Sequence, residues 1–308
     1  MSGRPKVCVV GSYNTDLAVR TPRIPVQGET ILGSGFVTGP GGKGGNQAVA
    51  AVRLGADVSM IVKLGSDSFG DIAANNLIGE GIHSDFILRS PDAPTGVAFI
   101  IVDQQGENVI VVAPGANNSL APADIELARE LISSSDVLLV QLEIPIETVE
   151  AAIQLAHSAG VKVILNPAPG QKLSSQLLKC VDVLTPNETE AQIISGKTVT
   201  NLKEAQEAAQ ILLQAGVGAV VMTLGDEGAL ITTSEGSQHV RGTKVQVVDT
   251  TGAGDSFSGA LAVALAEGND LKKATVFANT AASIQVTRFG TAPAMPFREE
   301  VQSKLSEI

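Results

Sequence analysis

The stretch Asp249-Thr250-Thr251-Gly252-Ala253-Gly254-Asp255-Ser256-Phe257 puts two kinds of chemistry at one turn. Alternating Val245, Val247 and Val248 precede it and the helical spacing Phe257, Leu261, Leu265 follows, so it reads as strand, glycine turn, helix. The N–H groups of Gly252, Ala253 and Gly254 then fall at a helix start, where backbone donors lack acceptors and the helix dipole is positive. Such a turn receives anions. Asp255 adds a carboxylate at the same place. An anion hole beside an acid suits transfer of a charged group such as phosphoryl, provided other residues hold the acceptor.

A second glycine-rich helix start, Gly39-Pro40-Gly41-Gly42-Lys43-Gly44-Gly45-Asn46, leads into Ala48, Val49 and Val52 on one apolar side, with Gly55 beyond the helix end. It is not a Walker loop, because Gly44 follows Lys43 where Ser or Thr is needed. It is not a dinucleotide fingerprint either, since no buried strand feeds directly into it. Glycines with Lys43 and Asn46 at a helix start point to close approach of backbone to a ligand. Further polar groups are Asn14 with Asp16, Glu143, Asn166, Asn187 with Glu190, and Gly225. Singly, each has an ordinary account: Asp255 as a first-turn acid, Asn187 and Glu190 as a capping box, Glu143 as a solvated loop acid, Asn14 and Asp16 as a strand end.

What gives them joint meaning is the order of elements. Val7–Gly11 is an apolar run of the kind buried on both faces. Strands are predicted at Val58–Val62, Val137–Val140, Val161–Leu165, Val181–Leu184 and Ala219–Thr223. Helices are predicted at Asp71–Ile78, Pro122 to about Ser133, Ile146–Ala159, Leu202–Ala215 and Leu271–Val286, with an irregular tail after Arg288. Strands alternating with helices imply a parallel sheet with right-handed crossovers, flanked by helices. Ligands bind beyond the carboxyl ends of such strands, and every polar cluster falls there. Residues 14–40 and 94–114 have no helical period; the second span holds Thr95–Val102 and Asn108–Ala113 around Gln104-Gln105-Gly106-Glu107, a hairpin. Together they predict a small sheet off the main body of a single domain spanning residues 1–308, serving as a lid, a dimer interface or both.

Composition narrows the function. A net charge of −11 argues against nucleic acid and membrane surfaces, both of which call for a basic patch. No window approaches the apolar length of a membrane span, and Met1–Lys6 lacks a signal-peptide pattern. Cys8 and Cys180 read as isolated reduced thiols, and a cytoplasmic location is expected. His83, His157 and His239 share no metal spacing.

Gly41-Gly42-Lys43-Gly44-Gly45-Asn46-Gln47-Ala48 and Asp249–Phe257 resemble the two signatures of the ribokinase-like family of carbohydrate and purine kinases. Asn166-Pro167-Ala168-Pro169, Thr185-Pro186-Asn187-Glu188-Thr189-Glu190 and Thr223-Leu224-Gly225 match between them, so the resemblance spans essentially the whole chain. Within the family it runs nearest to the D-ribose kinases, through Asn14 with Asp16, Gly115-Ala116-Asn117, Gln141-Leu142-Glu143 and Arg298-Glu299-Glu300.

The resemblance implies a role for each matching position. Asn14, Asp16, Gly42, Lys43, Asn46 and Glu143 would hold sugar hydroxyls. Asp255 would face the hydroxyl to be phosphorylated, O5 of ribose, with Gly252, Ala253 and Gly254 as anion hole. Asn187 and Glu190 would organise Mg²⁺ and phosphate through water. Thr223, Leu224, Gly225, Asp226, Glu227 and Gly228, with Gly254 and Asn279, would form the ATP pocket. Asp249, Thr251, Gln285, Arg288, Gly290 and the position of Ala294 would form a K⁺ site, although Ala294 lacks the hydroxyl often found there. The expected activity is ATP-dependent phosphorylation of D-ribose by a homodimer paired through the lid sheets. Two alternatives stand: the same chemistry on 2-deoxyribose, fructose or a nucleoside, and a non-catalytic sugar or nucleotide sensor. A dinucleotide-dependent oxidoreductase is excluded because Val7–Asp16 lacks Gly-x-Gly-x-x-Gly.

Overall fold

The computed structural model describes residues 3–307. Its strands, in chain order, are β1 (Lys6–Val10), β2 (Asn14–Arg20), β3 (Ser34–Gly41), β4 (Asp57–Gly65), β5 (Ile87–Ser90), β6 (Gly96–Val102) and β7 (Asn108–Ala113). They continue with β8 (Val137–Val140), β9 (Lys162–Leu165), β10 (Val183–Leu184), β11 (Ala219–Thr223), β12 (Gly228–Thr233) and β13 (Gly236–Arg241). The main sheet runs β13-β12-β11-β10-β9-β8-β1-β4-β5 and is parallel from β11 to β5.

Alternation along β1 explains the layering. Val7 and Val9 join one buried cluster, with the helices Lys43–Arg53, Ala253–Ala266 and Leu271–Gln285. Cys8 and Val10 join the other, with the helices Ile146–Ser158 and Leu202–Gln214. A strand covered on both faces has no polar side, which is why β1 reads as a continuous apolar run. From β1 the chain first builds outward through β4 and β5, then returns to place β8 on β1's other side. The reversal opens a crevice at the carboxyl ends of β1 and β8, where an open α/β sheet takes its ligands.

The small sheet is separate, in the order β3-β2-β6-β7, from the two spans that lack helical period. β2 pairs antiparallel with β3 and parallel with β6, and β6 turns back onto β7 through the predicted hairpin.

Several expectations are corrected. Val245, Val247 and Val248 form no strand; this segment is extended coil, held where Val248 N–H and Asp249 N–H donate to Val286 O. Its valines alternate without a neighbouring strand, and Val247 and Val248 stay exposed. The sheet also ends in an antiparallel hairpin, β12–β13, that the alternating pattern does not announce. The helix predicted from Pro122 is two short pieces, Pro122–Leu127 and Arg129–Ser133, broken at Ala128. The tail carries a helix, Arg298–Leu305, anchored where Arg298 donates to Leu54 O and pairs with Glu267.

Candidate active site

Asp255 sits in the first turn of the helix Ala253–Ala266, buried, with its carboxylate held from one side by the other glycine-initiated helix. Asn46 Nδ2 donates to Oδ2 at 2.9 Å and Gln47 Nε2 donates to Oδ1 at 2.9 Å. Beside it, Gly252 adopts a left-handed φ of 83°, which turns the chain into the helix without a Cβ penalty. The three expected anion-hole donors are not equivalent. Ala253 N–H already donates to Thr250 O at 3.2 Å, whereas Gly252 and Gly254 N–H have no backbone acceptor among the described residues. A Cβ at Gly254 would meet nothing within 4 Å, so that face is open.

Asp255, Gly252, Ala253 and Gly254 line one cleft of about 160 Å³ together with Lys43, Asn187, Glu190 and Thr223. β10 and β11 deliver the last three at their carboxyl ends, as the sheet rule requires. Asn187 and Glu190 form a reciprocal capping box: Glu190 N–H donates to Asn187 Oδ1 at 2.8 Å and Asn187 N–H donates to Glu190 Oε2 at 2.9 Å. The structural account and the site account of this pair therefore hold together.

Asn14, Asp16, Gly42, Asn46 and Glu143 do not line this cleft; Glu143 meets it through Lys43, and Asn46 through Asp255. Glu143 accepts from Lys43 N–H at 3.0 Å and from the Ser12 hydroxyl. Asn14 is fixed by Asn117, whose Nδ2 donates to Asn14 Oδ1 at 2.9 Å. Asp16 is pushed up to about 7, first by burial, then by the nearby charges of Glu143 and Asp255. Burial alone would lower the Lys43 ammonium, but Asp255, Glu143 and Glu190 together outweigh it and raise the group, keeping it cationic. Burial raises the Glu190 carboxyl, against the Asn187 N–H and Lys43, which act to lower it. One cation among four acids is a local field the net charge does not reveal.

At Gly42 and Gly44 packing within the chain is itself a reason for glycine. A Cβ at Gly42 would stand 2.6 Å from Asn14 N, and one at Gly44 would stand 2.7 Å from Ser12 N. At these two positions the helix start packs against the backbone of residues 11–14, between β1 and β2, leaving no room for a Cβ.

Of the expected nucleotide residues, Thr223 and Gly254 face the cleft, while Leu224 is buried and Gly225–Glu227 form a tight turn with Asp226 and Glu227 exposed. Leu224 N–H closes that turn on Gly228 O, and Asn279 Nδ2 donates to Val240 O on β13. The expected cation loops do converge. Asp249 accepts from Thr251 N–H and Gly290 N–H, at 2.9 and 3.0 Å. Gln285 Nε2 donates to both Thr251 O and Gly290 O, at 2.7 and 3.0 Å. Both carbonyls already point at the Gln285 amide and both Asp249 oxygens already accept backbone N–H groups; their oxygens are the ligand type that hard cations take. Arg288 instead pairs with Glu300 through its guanidinium, and Ala294 offers only a buried methyl.

Sequence reasoning did not assign Gln47, Gln141, Asn117 or Ser12 a role. Gln47 directly follows Asn46 in the first turn of its helix, and that adjacency was the available signal. Among the described residues no cluster of three or more histidine, cysteine or acidic side chains could hold a metal by itself. A divalent ion would rest on Glu190 and Asn187 with substrate phosphates and water, the usual arrangement for Mg²⁺.

The family model for pfkB family carbohydrate kinases matches residues 4–298. Ribokinase of Haemophilus influenzae is 42% identical over 297 residues, covering 96% of this chain and 97% of that protein. Deoxyribokinase of Salmonella typhimurium is 37% identical over 301 residues, covering 97% and 98%. The structure of Arabidopsis thaliana ribokinase complexed with ribose and ATP matches with a TM-score of 0.91 at 33% identity, covering 98% of this chain and 99% of that one. The chain belongs to the pfkB family of carbohydrate kinases.

Proposed function

We propose that this kinase phosphorylates D-ribose at O5 with ATP, giving D-ribose 5-phosphate and ADP. The observation that carries the reading is the buried Asp255 carboxylate, held on one side by Asn46 and Gln47, beside the unengaged N–H groups of Gly252 and Gly254. The names of the ribokinase relatives support the choice of sugar.

Phosphoryl transfer calls for little covalent help; it needs an in-line hydroxyl and compensation of the charge on the moving group. Asn14, Asp16, Asn46 and Glu143 supply acceptors and donors that bridge adjacent hydroxyls and aim O5 at the turn. Asp255 orients the hydroxyl and takes its proton as the O–P bond forms. Gly252 and Gly254 N–H, the helix dipole and the Lys43 ammonium face the developing phosphoryl charge. When bound, Mg²⁺ would neutralise phosphate charge, and Glu190 and Asn187 would hold it through water. The loops carrying Asp249, Thr251, Gln285, Arg288 and Gly290 would hold a K⁺, which would supply positive charge beside the Gly252 turn. The small sheet acts as a lid over the sugar and pairs with a second copy, which the exposed β7 and the exposed Phe36 and Val111 support. The chain acts in the cytoplasm, in keeping with its two free cysteines, one of them, Cys8, buried with its thiol raised to about 12.

A coupled ADP-release assay comparing ribose, 2-deoxyribose, fructose and adenosine tests the reading. Highest kcat/KM on ribose is expected, with K⁺ above Na⁺. No turnover on any of them overturns the kinase role in favour of a sensor, and preference for adenosine overturns the sugar pocket. The Salmonella deoxyribokinase relative makes 2-deoxyribose the second reading.

A further inference from the structure

Behind Asp255 lies a chain of buried side-chain amides whose direction is set by one backbone carbonyl. Thr185 O accepts from Asn166 Nδ2 at 2.9 Å, and a carbonyl can only accept. Asn166 therefore turns Oδ1 the other way, where Gln47 Nε2 donates to it at 3.0 Å. The same nitrogen donates to Asp255 Oδ1 at 2.9 Å, while Gln47 Oε1 accepts from Gln141 Nε2 at 2.6 Å. Turning the Gln47 amide over would set its oxygen against those of Asp255 and Asn166. The network can present Asp255 with a donor and nothing else.

This arrangement is not what packing alone would choose. Gln47 and Gln141 are fully buried, and Gln141 Oε1 has no partner. Apolar side chains would fill the space without leaving a polar atom unsatisfied. The backbone has made room for the network: a Cβ on Gly11, at the end of β1, would stand 2.1 Å from Gln141 Oε1. Three strand ends, those of β8, β9 and β10, thus converge through Gln141, Asn166 and Thr185 on a single carboxylate oxygen.

We propose that Gln47, backed by Gln141 and Asn166, is a positioning residue that fixes the plane of the Asp255 carboxylate. This rests on the reading of Asp255 as the group facing the acceptor hydroxyl. Each carboxylate oxygen accepts one amide hydrogen, Oδ1 from Gln47 and Oδ2 from Asn46; Oδ2 lies on the side of the sugar residues and keeps a lone pair for the hydroxyl. The hydroxyl proton passes to Oδ2 as its oxygen bonds to phosphorus and the bond to the departing ADP oxygen breaks. Gln47 itself touches neither sugar nor nucleotide.

The test is steady-state kinetics of the purified full chain, on the sugar it turns over best, for Gln47→Met, Asp255→Asn and the double variant. Methionine keeps the length and loses the donor. Gln47→Met is expected to lower kcat roughly 10–100-fold, the scale of a misplaced catalytic group, with both KM values within about twofold. In the Asp255→Asn background it should change kcat by less than about twofold, since two residues acting as a unit are not additive. Unchanged kcat in Gln47→Met, or a full additional loss in the double variant, overturns the proposal. Parental turnover in Asp255→Asn alone instead overturns the reading of Asp255. If Gln47→Met does not fold, Gln141→Leu is measured in the same cycle; it leaves Gln47 in place and should show a smaller fall in kcat, again absent without the Asp255 carboxylate.

Discussion

Asn46 and Asp255, 209 residues apart in the chain, meet through a 2.9 Å hydrogen bond between the first turns of two helices. Each helix starts at a left-handed glycine, Gly42 in one case and Gly252 in the other. The contact fixes how far apart the two glycine-initiated helix starts lie. Asn46→Ala removes a donor to Asp255 and, on the proposed reading, a sugar contact, so kcat should fall and the sugar KM should rise together. A loss of about 1.5–3 kcal/mol in kcat/KM is expected for a hydrogen bond to a charged group. Asn46→Asp, which sets a second acid against Asp255, should be worse than Asn46→Ala in the same assay.

Asp16 predicts a pH effect. Its carboxyl is raised from 3.8 to about 7 by burial and by Glu143 and Asp255. A group raised in the folded state binds its proton more tightly there than in the unfolded chain. The stability it contributes is present below about 4 and is lost as pH rises toward about 7. Asp16→Asn carries no charge to bury. In thermal melts without substrate its advantage over the parent should be absent near pH 4, grow up to about pH 7 and stay constant above. The same variant should bind sugar more weakly, which would make Asp16 a residue kept for function against stability.

The α/β alternation was legible because buried parallel strands are short apolar runs and their helices are amphipathic; Val137–Val140 and Ala219–Thr223 fall where the pattern puts them. Polar edges hid the rest. β13 is Gly-Ser-Gln-His-Val-Arg with Val240 its one buried residue, and the helix Arg298–Leu305 buries only Val301. Val245–Val248 failed the other way, since alternation needs a strand partner to mean anything and the segment has none. In the site, charged and glycine residues announced themselves, while Gln47 and Gln141 did not. An amide in a helix or after a strand looks like surface until the fold buries it.

Asn187 separates capping from site chemistry. Its side chain accepts from Glu190 N–H at the start of the helix Glu188–Ser195 and also lines the cleft. Asn187→Ser keeps a capping oxygen but shortens the reach, so it should fold with near-parental stability and lose activity. Asn187→Ala should lose about 1 kcal/mol of stability as well. Denaturant unfolding beside turnover separates the two; equal stability of both variants would mean that the cap contributes nothing.

Gln285 tests the proposed cation site. Its Nε2 bridges Thr251 O and Gly290 O, the two carbonyls a monovalent cation would draw together, and its Oε1 is buried without a partner. The amide thus supplies, without charge, part of the restraint an ion would provide. Gln285→Ala leaves both carbonyls without that donor. Its melting temperature should then rise more steeply with KCl than the parent's, measured against tetramethylammonium chloride at equal ionic strength, because an ion that binds only the folded state stabilises it by mass action. Activation by K⁺ should steepen in parallel, and the variant without added K⁺ should turn over more slowly than the parent. An identical melting response in parent and variant would show that the amide and the ion do not share the carbonyls of Thr251 and Gly290.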